Sequence, residues 1–480
     1  MTDHAAITAV EHRVERYITD LMGLSPTIAA ACRPALKILH SPPRIVVLGR
    51  VKSGKSTLVN ALIGAPVSET GVLETTNMVR MFHYGAPDRA VVTLHNGQQH
   101  SLPTTAITRT TIPYPAHEIT WVERFMPIAT LRDYTLIDTP GLFTVNSASH
   151  TRTEEAIERG ITQSRRASVH ADAALLLLDV NERADELALL ADLSFTPLST
   201  LGILSRADMI GTAALGEIDP ISQAQQCATS LAHTLSHQLA TIIPVAGLLA
   251  ETGHTGALTE HITQQLATYT QRDDLELLEH LLGNSATHQP ATSSTSAQQA
   301  AGSIQQLHTL VDKLGIYGLL RGRHIAPQGA AALSTWLCQQ SQFDRLTATI
   351  ETQLLPVARL HRAQRARDLL RQLPYQFPAQ RSSIQTLQRQ LTSSAEALPL
   401  AIFDTYQSLA SQQPTSPVVT LATTILRSKL HLFTPDTSQH FADADTTVLY
   451  RELSQLRQGF CSPMEELLIE QLLSLSSTHE

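Results

Sequence analysis

Between Gly49 and Ser56 the chain reads GRVKSGKS, a Gly-x-x-x-x-Gly-Lys-Ser pattern. Glycines at this spacing let the backbone turn its N–H groups inward around phosphate oxygens. The lysine reaches the outer phosphates and the serine hydroxyl can ligate Mg²⁺. These residues are Gly49, Gly54, Lys55 and Ser56, with Lys52, Ser53 and Thr57 in and beside the same loop. An apolar run, Ile45 to Leu48, precedes the pattern, and Leu58, Ala61 and Leu62 follow it at helical spacing. A helix that starts on the loop adds its positive end. The chemistry is capture of a nucleotide's phosphates.

Three further stretches fit the same site. Thr75 and Thr76 precede an expected strand over 78–83, and a threonine placed there can bind Mg²⁺ and the γ-phosphate together. A strand over 134–137 runs into Asp138-Thr-Pro-Gly141, where Asp138 can hold Mg²⁺ through water and the Gly141 N–H can sense the γ-phosphate. A strand over 200–204 ends in Ser205-Arg206-Ala207-Asp208. A carboxylate such as Asp208 accepts two hydrogen bonds from guanine, and adenine leaves it unpaired. Arg206 can cover the base plane. A strand over 241–245 then leads to Ala246-Gly247, small residues whose N–H groups can approach the base carbonyl.

These residues need a scaffold that brings strand ends together. Strands over 90–94, 119–125 and 173–179 complete a series that alternates with helical pattern, which implies a mostly parallel sheet with helices on both faces. Ligands in such sheets bind at the carboxyl ends of the strands, where every motif above falls. Residues 42–283 read as this α/β domain. Residues 1–41 read as an N-terminal helix with an apolar stripe at Ile7, Val10, Val14, Ile18 and Leu21. Residues 284–303 contain few apolar side chains and read as a flexible linker or loop. Residues 304–480 read as an antiparallel α-helical bundle that the N-terminal helix joins. Pro356 is expected to kink or break its helix.

The chain has 480 residues, 42% hydrophobic and 4% aromatic, with a net charge of −8. That acidity gives no reason to expect nucleic acid as a partner. Cys32, Cys227, Cys338 and Cys461 show no metal-ligand spacing, which suits a reducing compartment. No apolar run approaches the roughly 20 residues that a membrane helix needs. Two stretches are candidates for surface contact with a membrane: the basic set Arg359, His361, Arg362, Arg365, Arg367 and Arg371, and the apolar Leu398–Phe403. Each also fits the interior of a helical bundle.

GRVKSGKSTLVNALIG, TGVLETTNMV, IDTPGL, LSRADMIG and IPVAGLL together resemble a bacterial dynamin-like GTPase of the actinobacterial isoniazid-inducible group. The likeness is dense from Ile45 to Leu249 and looser beyond. It implies an α/β P-loop GTPase domain with a helical bundle as neck or stalk. It also implies hydrolysis of GTP with Mg²⁺, with Lys55, Ser56 and Thr76 in catalytic roles. Ser56, Thr76 and Asp138 would hold the metal. The implied partners are a second copy joined through the GTPase domains, or a dynamin-like paralogue, and an anionic membrane surface. The implied location is the cytoplasm, peripheral on the inner face of the cell membrane. Two departures stand out: Val51-Lys52 occupy loop positions where eukaryotic dynamins carry glutamine and serine, and Leu142 follows the Asp138–Gly141 motif where a catalytic glutamine could stand. Lys52 is therefore a candidate source of catalytic positive charge. A soluble switch or assembly GTPase is the competing reading.

Overall fold

The computed structural model describes residues 5–50, 52–68, 79–103, 112–115, 118–140, 171–180, 195–211, 215, 218–239, 241–283, 294–430 and 446–477. Two helices come first, α1 (Ala5–Met22) and α2 (Pro26–His40), where the sequence suggested one. The break has a local cause. Ser25 caps α2 by accepting the Ile28 N–H at 3.2 Å, and Pro26 sits in the first turn, where its missing N–H costs nothing.

The sheet strands are β1 (Arg44–Leu48), β2 (Val79–Tyr84), β3 (Arg89–Leu94), β4 (Gln99–Pro103), β5 (Ile119–Met126), β6 (Thr135–Asp138), β7 (Ala173–Leu178), β8 (Thr200–Ser205) and β9 (Ile242–Val245). Their order is β4-β3-β5-β2-β6-β1-β7-β8-β9. The run from β6 to β9 is parallel, whereas β2 pairs antiparallel with β6. Strand β1 lies between β6 and β7, so the chain crosses from one side of β1 to the other. Such a reversal leaves a crevice at the carboxyl end of the central strand.

All four apolar residues of β1 are fully buried, and their alternation divides the core. Ile45 and Val47 pack with α3 (Lys55–Ile63), while Val46 and Leu48 face Ala228 and Leu231 of α4 (Pro220–Thr234). After β9 come α5 (Gly247–His254), α6 (Glu260–Ala267), α7 (Asp274–Gly283), α8 (Ser294–Gly322) and α9 (Ala330–Gln340).

The structure revises the expected organisation here. Helix α8 begins inside the stretch read as a linker. It and α9 bury Leu310, Leu314, Leu333 and Leu337 against Ala207, Ala246 and Leu249, so both belong with the sheet rather than with the bundle. Few apolar residues between 294 and 303 suggested a linker. Its alanines and glutamines are nevertheless good helix formers, and an anchored helix extends through such a stretch.

Next, α10 (Phe343–Thr349) passes through a π-turn over Ile350–Leu354 into α11 (Leu355–Asp368). Pro356 lies in the first turn of α11, so the widened turn, and not a chain break, accommodates its missing N–H. Phe343, Leu346, Ile350, Leu354 and Ala358 share the core of Ile45 and Val47, while Val357, Leu360, Ala363 and Ala366 enter a second core. One helical run therefore enters both cores. The chain continues through α12 (Leu373–Gln376), α13 (Arg381–Thr392), α14 (Leu398–Gln412), α15 (Pro417–Leu430), α16 (Thr446–Leu456) and α17 (Pro463–Ser477). Val10, Val14, Ile18 and Leu21 of α1 and Ile28 and Leu39 of α2 bury among these C-terminal helices.

Both stretches considered for membrane contact are largely internal. Arg359 and Arg362 pair with Glu11 of α1, Arg365 lies 3.4 Å from Asp172, and Arg367 binds Asp404 and Asp368. Arg371, the exposed member, pairs with Asp368 at 2.9 Å. Leu400, Ile402 and Phe403 are buried in the bundle core. Glu11 and Arg362 have side chains only 13% and 10% exposed, so removing one partner strands a charge in the interior. Glu11→Ala is expected to cost about 3 kcal/mol, read as a lower thermal midpoint. Pairing it with Arg362→Met, which removes the stranded charge, is expected to recover part of the loss.

Candidate functional site

Strand β1 stops at Leu48 because the next residue adopts a backbone that only glycine takes comfortably: Gly49 has φ 150°. A Cβ on Gly49 would also sit 3.0 Å from the Leu177 Cβ and 2.9 Å from the Ser53 Oγ. At the other end of the loop Gly54 precedes α3 with φ 93°. Directly after Gly54 the buried Lys55 folds back, and its Nζ donates to the carbonyl oxygens of Gly49 at 3.0 Å and Arg50 at 2.6 Å. The lysine thus stabilises the cradle with its ammonium group held inside. Ser56 and Thr57 occupy the first turn of α3, where unpaired N–H groups and the helix dipole favour an anion.

Asp138 ends β6 beside this loop and is fully buried. Its Oδ2 accepts from the Ser68 hydroxyl at 2.9 Å, while Oδ1 has no hydrogen-bond partner among the described residues. Burial raises the carboxyl pKa above its ordinary value, against the lowering influence of the Lys55 charge and the Ser68 bond. Thr139 donates from Oγ1 to the Val47 carbonyl at 2.7 Å, tying the ends of β6 and β1 together. An unpartnered oxygen on a buried carboxylate, next to a serine and a lysine in a phosphate loop, fits a hydrated Mg²⁺.

The residues expected to read the base lie two strands from β1 on the same edge. Ser205 donates from Oγ to the Leu178 carbonyl at 3.1 Å, joining the ends of β8 and β7. Arg206 then takes a left-handed conformation, φ 54°, and its guanidinium binds the carbonyl of Lys52, itself left-handed at φ 65°. Base motif and phosphate loop are thus in direct contact. Asp208 is 6% exposed, and burial raises its pKa against the opposing influence of its own backbone N–H and of Arg206. Gly247 opens α5 beside Thr57, whose Cγ2 lies 3.5 Å from where a glycine Cβ would stand. The Ala246 N–H donates to the Ser341 carbonyl at 3.1 Å, so this amide is engaged within the fold rather than open to a base. Thr76, Gly141, Val51 and Leu142 lie outside the described residues.

Sequence reading overlooked several contributors. Gly315 breaks α8 with φ 67° and ψ 177°, a combination essentially reserved for glycine. A Cβ there would lie 3.4 Å from the Asp208 Oδ2, so the α8 backbone forms one wall beside that carboxylate. A glycine inside a helical pattern was the available signal. Asn60, Ser68 and Glu251, linked around Asp138, belong to no motif.

The sequence model of the dynamin family matches residues 45–206. The isoniazid-induced protein IniC of Mycobacterium tuberculosis is 31% identical over 250 residues, covering 49% of this chain and 48% of that protein. A probable transmembrane GTPase, FZO-like and chloroplastic, of Arabidopsis thaliana is 27% identical over 125 residues, 26% of this chain and 12% of that one. The chain spans about half the length of the isoniazid-induced relatives it matches. Among solved structures, an oligomerised bacterial dynamin pair described as sensing and tethering membranes covers 99% of this chain and 75% of its own, at 14% identity and TM-score 0.37. Aquifex aeolicus Era bound to GDP and aluminium fluoride covers 43% and 52%, at 16% identity and TM-score 0.26. Both scores are low, and the likeness rests on the sequence matches over residues 45–206 together with the motifs. The dynamin-family match runs from β1 to Arg206, so the strands that carry the phosphate loop and Asp138 lie within the segment that resembles that family, and this segment is similar to bacterial dynamin-like proteins.

Proposed function

We propose that this protein binds GTP at the carboxyl edge of β1, β6 and β8, hydrolyses it to GDP and phosphate, and transmits the change of state to its helical bundle. One observation carries the reading: a buried lysine and a buried carboxylate that feels its charge stand at a phosphate loop, on the same sheet edge as the buried Asp208. A bound Mg²⁺ supplies charge neutralisation on the phosphates; Ser56, Thr76 and Asp138 are the residues that would hold it. Lys55 and the first turn of α3 bind and orient the phosphates. Gly141 senses the γ-phosphate, and Asp208 selects guanine. Lys52 is exposed on the loop and supplies catalytic charge there or across a dimer of GTPase domains. Transmission uses the run from α10 through the π-turn into α11, which enters both cores.

Membrane remodelling by a self-assembling form is the extension that the family likeness supports. The internal placement of the basic stretch and of Leu400–Phe403 favours weighing a switch GTPase without membrane activity as a second reading. Among the described residues no helix is long and apolar enough to cross a membrane.

GTP turnover and co-sedimentation with anionic and with neutral vesicles separate these readings. Turnover that rises on anionic vesicles, with sedimentation, supports membrane work. Turnover indifferent to lipid, without sedimentation, supports the switch. Absence of GTP turnover in every condition overturns the proposal. In the same assay Lys52→Ala is expected to lower stimulated turnover by at least about tenfold while nucleotide affinity stays near wild type. An unchanged rate removes Lys52 from catalysis.

A further inference from the structure

We propose that Ser68 is a positioning residue that fixes the Asp138 carboxylate and leaves its second oxygen for water held by the nucleotide's cation. The inference rests on the GTPase reading above and concerns how this chain tunes that site.

Ser68 follows α3 by a short turn and is the last described residue before the stretch that contains Thr76. Asn60, 1% exposed on α3, holds its main chain from both sides. The Asn60 Oδ1 accepts the N–H groups of Val67 at 2.9 Å and Ser68 at 2.7 Å, and its Nδ2 donates to the Ser68 carbonyl at 2.9 Å. The same Nδ2 donates to Glu251 of α5 at 2.7 Å. Asn60 shares α3 with Lys55 and Ser56. The helix that presents the phosphate and metal residues therefore also fixes the root of the Thr76 segment.

The hydroxyl of Ser68 has a separate task. Its bond to Asp138 Oδ2, at 2.9 Å, reaches across the sheet from α3's end to β6, between residues 4% and 0% exposed. With Oδ2 held, the carboxylate keeps one orientation and presents only Oδ1, the atom without a partner among the described residues. Groups that orient a metal-site carboxylate in this way typically change metal affinity by about 10- to 100-fold when removed. An alanine at 68 keeps every main-chain bond to Asn60 and loses only the anchor on Asp138, so the substitution separates positioning from loop structure.

The test measures release of a fluorescent GDP from the full chain as free Mg²⁺ is varied, for wild type and Ser68→Ala, alongside thermal midpoints. The expected result is a Mg²⁺ midpoint raised by about 10- to 100-fold in Ser68→Ala. GDP retention at saturating Mg²⁺ and the thermal midpoint are both expected to stay near wild type. A Mg²⁺ midpoint within about threefold of wild type overturns the assignment, by the same scale. So does equally weakened retention at every Mg²⁺ concentration, which marks a structural role. If wild type retains no GDP with Mg²⁺ the assignment falls, and if it also turns over no GTP the GTPase reading fails with it; if only the midpoint shift is absent, the GTPase reading stands.

Discussion

Lys55→Ala is expected to reduce affinity for GTP by at least about 100-fold, roughly 2.7 kcal/mol, and to remove detectable turnover. The substitution takes away the ammonium group that bonds the carbonyls of Gly49 and Arg50. Those carbonyls then point into the cradle unopposed and repel phosphate oxygens. It also takes away the cation whose field holds down the Asp138 pKa, and the buried carboxyl becomes more readily protonated. Binding of a fluorescent GTP analogue by titration measures the loss. Unchanged secondary structure by circular dichroism shows that the sheet persists. A variant that binds within about threefold of wild type places the phosphate site elsewhere, because a buried charge-assisted contact is worth more than that.

Asp208→Asn is expected to act on the base rather than on the phosphates. Guanine presents two adjacent N–H donors, and a carboxylate accepts both. Asparagine turns one acceptor into a donor that faces a donor. With hydrogen bonds to charged groups worth about 1.5–3 kcal/mol each, GTP affinity falls on the order of 10- to 100-fold or more. Xanthosine triphosphate carries a carbonyl where guanine carries its amino group, so it is expected to compete better against the variant than against wild type. Displacement of a labelled nucleotide by GTP, ATP and xanthosine triphosphate reads the switch directly. An unaltered preference for GTP would place base selection on other residues. Gly315 adjoins the same carboxylate from a second side, since a Cβ there would stand 3.4 Å from the Asp208 Oδ2.

The mostly parallel sheet was legible because buried strands such as Ala173–Leu178 are continuous apolar runs bounded by polar turns. The positions Gly49, Lys55, Asp138 and Asp208 were legible because each stands in a short contiguous motif beside a strand end. What stayed hidden depends on contacts between distant residues. Ser68 and Asp138 meet only when α3 packs on β6, and Gly315 meets Asp208 only when α8 lies over the loop after β8. The arginines of α11 were ambiguous for a related reason. A basic helical face looks the same in sequence whether it meets a lipid headgroup or Glu11 of the first helix. Helix α8 was read in part as a linker because anchoring at its far end is invisible in local composition.

The two ends of the sheet-bearing portion lie close together: Arg362 of α11 bonds the carbonyl of Ser41, just ahead of β1. In ribosomal order, α1 and α2 emerge before the sheet, and their apolar faces match helices made only after its last strand. At about 5–20 residues per second that delay is on the order of half a minute. During it the nascent hairpin presents Val10, Val14 and Ile18 without their final cover. The nucleotide domain, by contrast, has its complete strand set on hand as soon as β9 leaves the exit tunnel. Synthesis therefore delivers the strands of the nucleotide site before the helices that complete either core, and the early hairpin is the segment most exposed to chaperone capture or to pairing with a neighbouring nascent chain.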